Sequence, residues 1–265
     1  MALRLRERIN RAFFELGRKI AWGIDDMFTR QSRVGAPAFF DPALFPWIPK
    51  LEAATPVIRR ELDVLLGHID DLPNFQDLSP DQRYITDDAG WKTYFFYAFG
   101  LPVPKACKRC PETARALRAI PGMKTAFYSI LRPGKRLPMH RGPYKGVLRL
   151  HLALRIPEPR LKCGIRVGDE VRHWDEGKVL VFDDCYQHEA WNDTDGVRVV
   201  LFIDIVRPLR FPASFVNWLL TWGIALSPFV LGAAGRHLAW ERRFERVMNE
   251  ARPGAPPAAG ANPRA

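Results

Sequence analysis

The feature that most constrains this chain is a switch of hydropathy period to two between Thr125 and Arg207. Residues 126–131, 145–156, 162–167, 170–174, 178–182 and 197–206 read as strands. Pro133-Gly134, Gly168-Asp169, Glu176-Gly177 and Asp195-Gly196 separate them as turns. Residues 93–99, with Trp91 just ahead, are aromatic enough to form a first strand. Short strands at this spacing bury their apolar faces only in a sandwich or barrel, so the expected fold is mainly β with flanking helices.

Outside that block the period is helical or absent. Residues 4–30 place Leu5, Ile9, Phe13, Leu16, Ile20, Ile24 and Phe28 on one helical face, with Arg4, Arg6, Arg8, Arg11, Arg18 and Lys19 elsewhere. Such a basic amphipathic helix either lies on an anionic membrane or packs on its own domain. Pro37, Pro42, Pro46 and Pro49 make 31–50 an irregular connector, 51–66 reads as a helix, and 67–92 is polar and loop-rich. Pro111 opens a helix reaching about Ile120. The domain plan is an N-terminal helix and connector over 1–50 and a main domain over 51–208, with its β core from about 93. An apolar helical segment over 209–250 and a disordered Pro/Ala/Gly-rich tail over 251–265 complete it.

Within the apolar segment, 211–235 carries no charged residue, a run longer than the roughly 18 residues that mark a membrane-helix candidate. Pro212, Asn217 and Pro228 argue against one straight span. Arg207 and Arg210 on one side balance Arg236, Arg242, Arg243 and Arg246 on the other, so charge selects no orientation. Two readings follow: a membrane hairpin or in-plane helix with both ends cytoplasmic, or a helix buried over the barrel. The formal net charge of +11 predicts a basic surface suited to anionic lipid or acidic small molecules. No Lys/Arg run interleaved with aromatics supports nucleic-acid binding. Four cysteines, at 107, 110, 163 and 185, do not make a disulfide scaffold, and the charged N-terminus has no secretory core, so a reducing cytoplasm is expected.

Chemistry concentrates on a few strand-borne residues. In 147–156 the even positions Leu148, Leu150, Leu152, Leu154 and Ile156 are apolar, so alternation puts Arg149 and His151 together on the other face. That face either points into the barrel, where burying a cation and an imidazole requires an anion or a metal, or lies in solvent. Arg198 opens a strand that is apolar on both faces, as a central strand of a covered sheet would be. A guanidinium there needs a carboxylate, and Asp204 is six residues away along the strand; a bound dicarboxylate would serve. If 192–197 is a hairpin, it brings His188 within about 7–10 Å of Arg198. For both to face one way, that loop must be odd in length or bulged.

The block 129–208 carries His140-Arg141-Gly142-Pro143, Leu148-Arg149-Leu150-His151-Leu152, Trp174-Asp175-Glu176-Gly177-Lys178 and Phe182-Asp183-Asp184. It continues with His188-Glu189-Ala190-Trp191 and Arg198-Val199-Val200-Leu201-Phe202-Ile203-Asp204. Together these resemble the aspartyl/asparaginyl β-hydroxylase family of iron(II)- and 2-oxoglutarate-dependent dioxygenases. The resemblance implies a double-stranded β-helix core, the jelly roll of cupin-like proteins. It also implies that 2-oxoglutarate becomes succinate while O₂ supplies the oxygen of a hydroxylated C–H. By the same resemblance His140 and His188 hold Fe(II), Arg198 and Ser129 hold the distal carboxylate of 2-oxoglutarate, and Arg149 and His151 contact its other end. The usual carboxylate two residues after the first histidine is replaced by Gly142. Glu189 is a conceivable substitute, although beside His188 it should point away.

The flanks, with their basic helix and the Arg207-Pro208-Leu209-Arg210-Phe211-Pro212 junction, are similar to bacterial lipid A and ornithine-lipid hydroxylases. A membrane lipid acyl chain at the anionic cytoplasmic leaflet is therefore the expected substrate and partner. The alternatives are β-hydroxylation of Asp or Asn in a protein, peptide or carrier-bound amino acid, which Gly142 favours, and a non-redox cupin-like binding protein. Cys107-Lys108-Arg109-Cys110 is half a zinc motif without a second half. His68, His173 and His237 read as packing or surface residues, Cys185 as a packed thiol, and Asp183 and Asp184 as groups orienting the His188 segment.

Overall fold

The computed structural model describes residues 15–16 and 24–250. Most of the helix expected over 4–30 and the whole tail over 251–265 thus lie outside the described residues. From Asp25 the chain forms helix α1 (Asp25–Gln31), a short strand β1 (Phe39–Phe40), helices α2 (Ile48–Ala53), α3 (Thr55–Leu66) and α4 (Phe75–Leu78), and strands β2 (Trp91–Ala98) and β3 (Leu101–Pro102). Helices α5 (Pro104–Arg109) and α6 (Pro111–Arg118) precede β4 (Met123–Leu131), β5 (Arg136–His140), β6 (Val147–Arg155), β7 (Cys163–Val167), β8 (Glu170–Arg172) and β9 (Val179–Phe182). Then come β10 (His188–Asn192), β11 (Arg198–Val206), and helices α7 (Ala213–Ala225) and α8 (Pro228–Glu250).

The strands form two antiparallel sheets, ordered β1-β9-β6-β11-β4-β2-β3 and β5-β10-β7-β8. From β4 onward the pairing is nested: β4 with β11, β5 with β10, β6 with β9, and β7 with β8. That is the double-stranded β-helix, the jelly-roll form of the β-sandwich. Its large sheet is apolar on both faces because both are covered. Leu148, Leu150, Leu152, Leu201 and Ile203 face outward onto Ile58 and Leu62 of α3 and Trp240 and Phe244 of α8. Phe127, Ala153, Phe182, Val200 and Phe202 face inward onto Ile165, Val167 and Ala190 of the small sheet, with Trp174 between.

Two strands escape hydropathy. β10 buries His188, Ala190 and Asn192, so its inward face is polar, and β5 buries only Leu137 while carrying Pro138 on a sheet edge. The connector 31–50 is likewise not wholly irregular, since it holds β1 and the start of α2. The expected hairpin through 192–197 is absent. β10 and β11 belong to opposite sheets, and the segment between them crosses from one to the other. The Asn192 side-chain amide anchors that crossing by donating to the carbonyls of Leu131, Arg132 and Gly196. His188 and Arg198 are therefore buried from opposite sheets, and a loop-parity argument does not apply.

Candidate active site

The pairing of β5 with β10 makes His140 and His188 cross-strand partners, their ring centroids 4.1 Å apart. Nδ1 of His140 lies 2.8 Å from the Pro138 carbonyl and Nδ1 of His188 lies 3.0 Å from the Tyr186 carbonyl. A carbonyl oxygen only accepts, so each Nδ1 carries the proton and each Nε2 keeps its lone pair. Burial, reinforced by the nearby Arg149 charge, pushes His140 down to about 4 and His188 well below the usual histidine range. Two neutral imidazoles aimed by the backbone are a donor set suited to iron and its neighbours among the divalent metals.

Deeper in the barrel lies Arg198, 1% exposed. One of its Nη atoms is 3.4 Å from the Ser129 carbonyl, its guanidinium carbon stands 4.8 Å from the centre of the Trp174 ring, and its Nε has no hydrogen-bond partner. No carboxylate of the described residues pairs with it, and burial lowers its pKa to about 10. Ser129 sits beside it on β4; its Oγ accepts from Trp91 Nε1 at 3.0 Å, which leaves the hydroxyl proton free to donate. His151 packs among Trp174, Phe182 and Phe202 with neither ring nitrogen bonded. Its pKa is driven far down by burial and then by the charges of Arg198, Arg149 and His188. The structure thus gathers Ser129, His151 and Arg198 at one depth and the two metal-type histidines at another.

Arg149 is placed differently from these. It lies 3.0 Å from Asp204 and 2.9 Å from Asp184, with its guanidinium carbon 4.2 Å from the centre of the Phe202 ring. Asp204, six residues along the strand from Arg198, pairs with Arg149 and not with Arg198. Asp184 is fully buried, and burial raises its pKa against the pull of Arg149. Its backbone carbonyl accepts from Gly142 N at 2.8 Å, and its carboxylate fills the space in which a Cβ at position 142 would begin. The glycine is therefore required by Asp184: the acid absent from position 142 is replaced in space by one arriving from the β9–β10 turn. Sequence contained both residues, but nothing in it tied them together.

Behind this, Asp183 accepts from Arg207 at 2.6 Å and from the Cys185 amide at 3.0 Å, clamping the turn before His188 to the end of β11. Asp183, Asp184 and Cys185 hold potential ligand atoms within 4.8 Å of one another, with Arg207 and Arg149 already facing the two carboxylates. Glu189 turns outward to Arg166. All four cysteines are free, His173 bonds the Cys163 carbonyl, and His237 is buried in aromatic packing.

A family model described as aspartyl/asparaginyl beta-hydroxylase matches residues 52–208. The ornithine lipid ester-linked acyl 2-hydroxylase of Rhizobium tropici is 48% identical over 225 residues, which cover 85% of this chain and 80% of that protein. The human aspartyl/asparaginyl beta-hydroxylase is 34% identical over 138 residues, covering 50% of this chain and 18% of that much longer protein. Among solved structures, a predicted oxalate decarboxylase from Thermotoga maritima aligns over 44% of this chain and 80% of its own at 13% identity, with a TM-score of 0.30. A Cupin_2 domain of an XRE-family regulator from Enterobacter cloacae aligns over 46% and 99% at 15% identity, with a TM-score of 0.29.

Proposed function

The chain belongs to the aspartyl/asparaginyl β-hydroxylase family, and from that premise we propose that it is an Fe(II)- and 2-oxoglutarate-dependent hydroxylase of a membrane lipid acyl chain, of the ornithine-lipid type. One observation carries the chemistry. Two neutral imidazoles whose Nδ1 atoms are held by backbone carbonyls stand in the same barrel as a buried guanidinium with no carboxylate partner. A metal fits the first and a dicarboxylate fits the second, because a buried cation without a counter-charge is costly and a carboxylate accepts from it bidentately.

In this reading His140 and His188 hold Fe(II), which when bound supplies the one-electron chemistry needed to use O₂. Arg198 and the Ser129 hydroxyl bind the distal carboxylate of 2-oxoglutarate, and His151 offers a nitrogen between that end and the histidine pair. Arg149 is neutralised by Asp184 and Asp204, so its first task is to hold the Asp184 carboxylate against Gly142. Phe182, Phe202 and Trp174 wall the interior and exclude water from it. The substrate class rests on the match to the Rhizobium lipid hydroxylase, which runs through both flanks of the β core. The basic surface favours work at the anionic inner leaflet of the cytoplasmic membrane.

Gly142 keeps the Asp/Asn β-hydroxylase reading as the competitor. The test has two readouts. Purified protein with Fe(II) should release succinate from 2-oxoglutarate, and lipid mass spectrometry should find an acyl species one oxygen heavier only when the gene is present. Succinate release stimulated by an Asp- or Asn-bearing peptide, with unchanged lipids, would transfer the assignment to the competitor. Turnover that survives His140→Ala and His188→Ala would remove the oxygenase reading altogether.

A further inference from the structure

Helix α7 is amphipathic in the wrong sense for a soluble protein. Its fully buried positions are Ala213, Asn217, Thr221 and Ala225, a ridge of small and polar side chains at four-residue spacing, with Val216, Leu220 and Ile224 half-buried beside it against the Phe28, Tyr144 and Leu209 cluster. Outward it presents Phe215, Trp218, Leu219 and Trp222, with Phe211 and Leu226 at its ends, each between 49% and 79% exposed. A helix that packs on its own domain buries the large apolar face and exposes the polar one. Here polar atoms share the docking with three aliphatic side chains, Asn217 donating to the Gly146 carbonyl at 2.7 Å and the Thr221 hydroxyl lying 3.4 Å from that of Tyr144, while the largest aromatic side chains stay outside. The aromatic face is left for another phase.

Charge says which phase. At the start of α7, Arg210 is exposed, its amide bonded to the Gln31 carbonyl, while Arg33 bonds the Pro208 carbonyl. Arg30, on the neighbouring α1, is also exposed, 3.6 Å from Asp26. Residues 211–235 contain no acid at all. Among the described residues no single helix is long and apolar enough to cross a membrane. α7 and the helix after it meet that criterion only together, bent by 46° at their break. Trp240 and Phe244 of that second helix are buried in the domain core, which holds it to the barrel.

We infer that α7 is an in-plane anchor that seats this protein on an anionic lipid bilayer, its aromatic face in the acyl boundary and the arginine collar at the headgroups. The anchor is tied to the site. Gly146 and Tyr144, which α7 holds, lie in the loop leaving His140, and Met139 beside that histidine is exposed. Docking through α7 therefore brings the histidine end of the barrel toward the bilayer. The surface serves the lipid-hydroxylase reading but is defined by binding alone, so it is tested without substrate.

The experiment floats the full-length protein with vesicles of phosphatidylcholine, with and without phosphatidylglycerol, containing no ornithine lipid and no lipid A. Binding is expected to the anionic vesicles and to weaken as salt rises. Trp218→Ser/Trp222→Ser and Phe211→Ser/Phe215→Ser should each lower partitioning at least about tenfold, with melting temperature unchanged because these side chains contact little protein. Equal binding by wild type and both variants overturns the inference. So does resistance of the bound protein to alkaline carbonate, the mark of a spanning helix. A solution dimer that both variants dissociate also overturns it, because the face would then belong to a second copy. Anchoring that follows this pattern while no lipid is hydroxylated leaves the anchor standing and removes only the substrate assignment.

Discussion

Replacing Arg198 by methionine separates what this residue does for the fold from what it does for the ligand. The guanidinium is buried and has an unpartnered Nε, and its neighbours are the Ser129 carbonyl at 3.4 Å, the Trp174 ring and the Cys163 thiol, none of them a carboxylate. A buried donor left unsatisfied costs about 1–3 kcal/mol, and an unpaired buried charge costs at least as much. Methionine keeps most of the volume against Trp174 without the charge. The ligand-free variant is therefore expected to be more stable than wild type by about 1–3 kcal/mol, a rise of several degrees at about 2–4 °C per kcal/mol. Removing one partner of a buried charge pair costs about 2–5 kcal/mol in binding. The affinity for 2-oxoglutarate should thus fall by about thirtyfold to several thousandfold, at about 1.4 kcal/mol per decade. Thermal unfolding with Mn(II) in place of iron reads both effects. Wild type gains about 2.7 kcal/mol when 2-oxoglutarate is present at about a hundred times its Kd, whereas Arg198→Met at the same concentration gains at most about 0.9 kcal/mol. A variant that is less stable than wild type yet still stabilised by 2-oxoglutarate would refute the reasoning. Arg198 would then be a structural cation with a partner elsewhere.

Three further outcomes follow from the geometry. His140→Ala and His188→Ala should each abolish Co(II) binding, followed by its visible absorption, while circular dichroism is retained. Gly142→Ala forces a Cβ into the Asp184 carboxylate and should destabilise the protein by about 1–3 kcal/mol; Gly142→Asp should not rebuild a tighter metal site, because Asp184 already fills that space. His237 is buried with both ring nitrogens unbonded, and burial lowers its pKa to about 4. The unfolded chain then binds the extra proton first, so stability is fully present above about pH 6.5 and is lost as pH falls toward 4, by up to about 3 kcal/mol. His237→Phe should flatten that part of the melting-temperature profile.

The β core was legible from its short β-branched and aliphatic runs: in 147–155 Leu148, Leu150, Leu152 and Leu154 point outward to the helices and Arg149 and His151 point inward, as parity requires, until the bulge before Ile156 turns that residue inward. β5 and β10 were not legible as strands, since they bury imidazole and amide groups where a hydropathy pattern needs aliphatic ones. The hairpin between His188 and Arg198 failed for a topological reason: from β8 to β11 each strand lies in the sheet opposite to the one before it, and no local signal says so. Asp184 illustrates the remaining limit. Its place beside the histidines depends on a missing Cβ at position 142, a contact made by the absence of an atom and invisible to motif spacing. The reversed face of α7 was half visible, as an uncharged run, but only packing showed which side of it is free.

Nested pairing also sets the order in which the protein acquires its parts during synthesis. The histidine pair is complete once β10 has paired with β5, but the dicarboxylate site joins Arg198 to Ser129, residues 69 apart on the outermost pair. Contacts of such long sequence separation form slowly, because loop closure precedes any gain from pairing. A nascent chain ending near Asn192 would therefore have its metal-type ligands assembled while the pocket beneath them is still open to water. Ribosome-stalled lengths on either side of β11 would show whether metal can be taken up before the barrel closes.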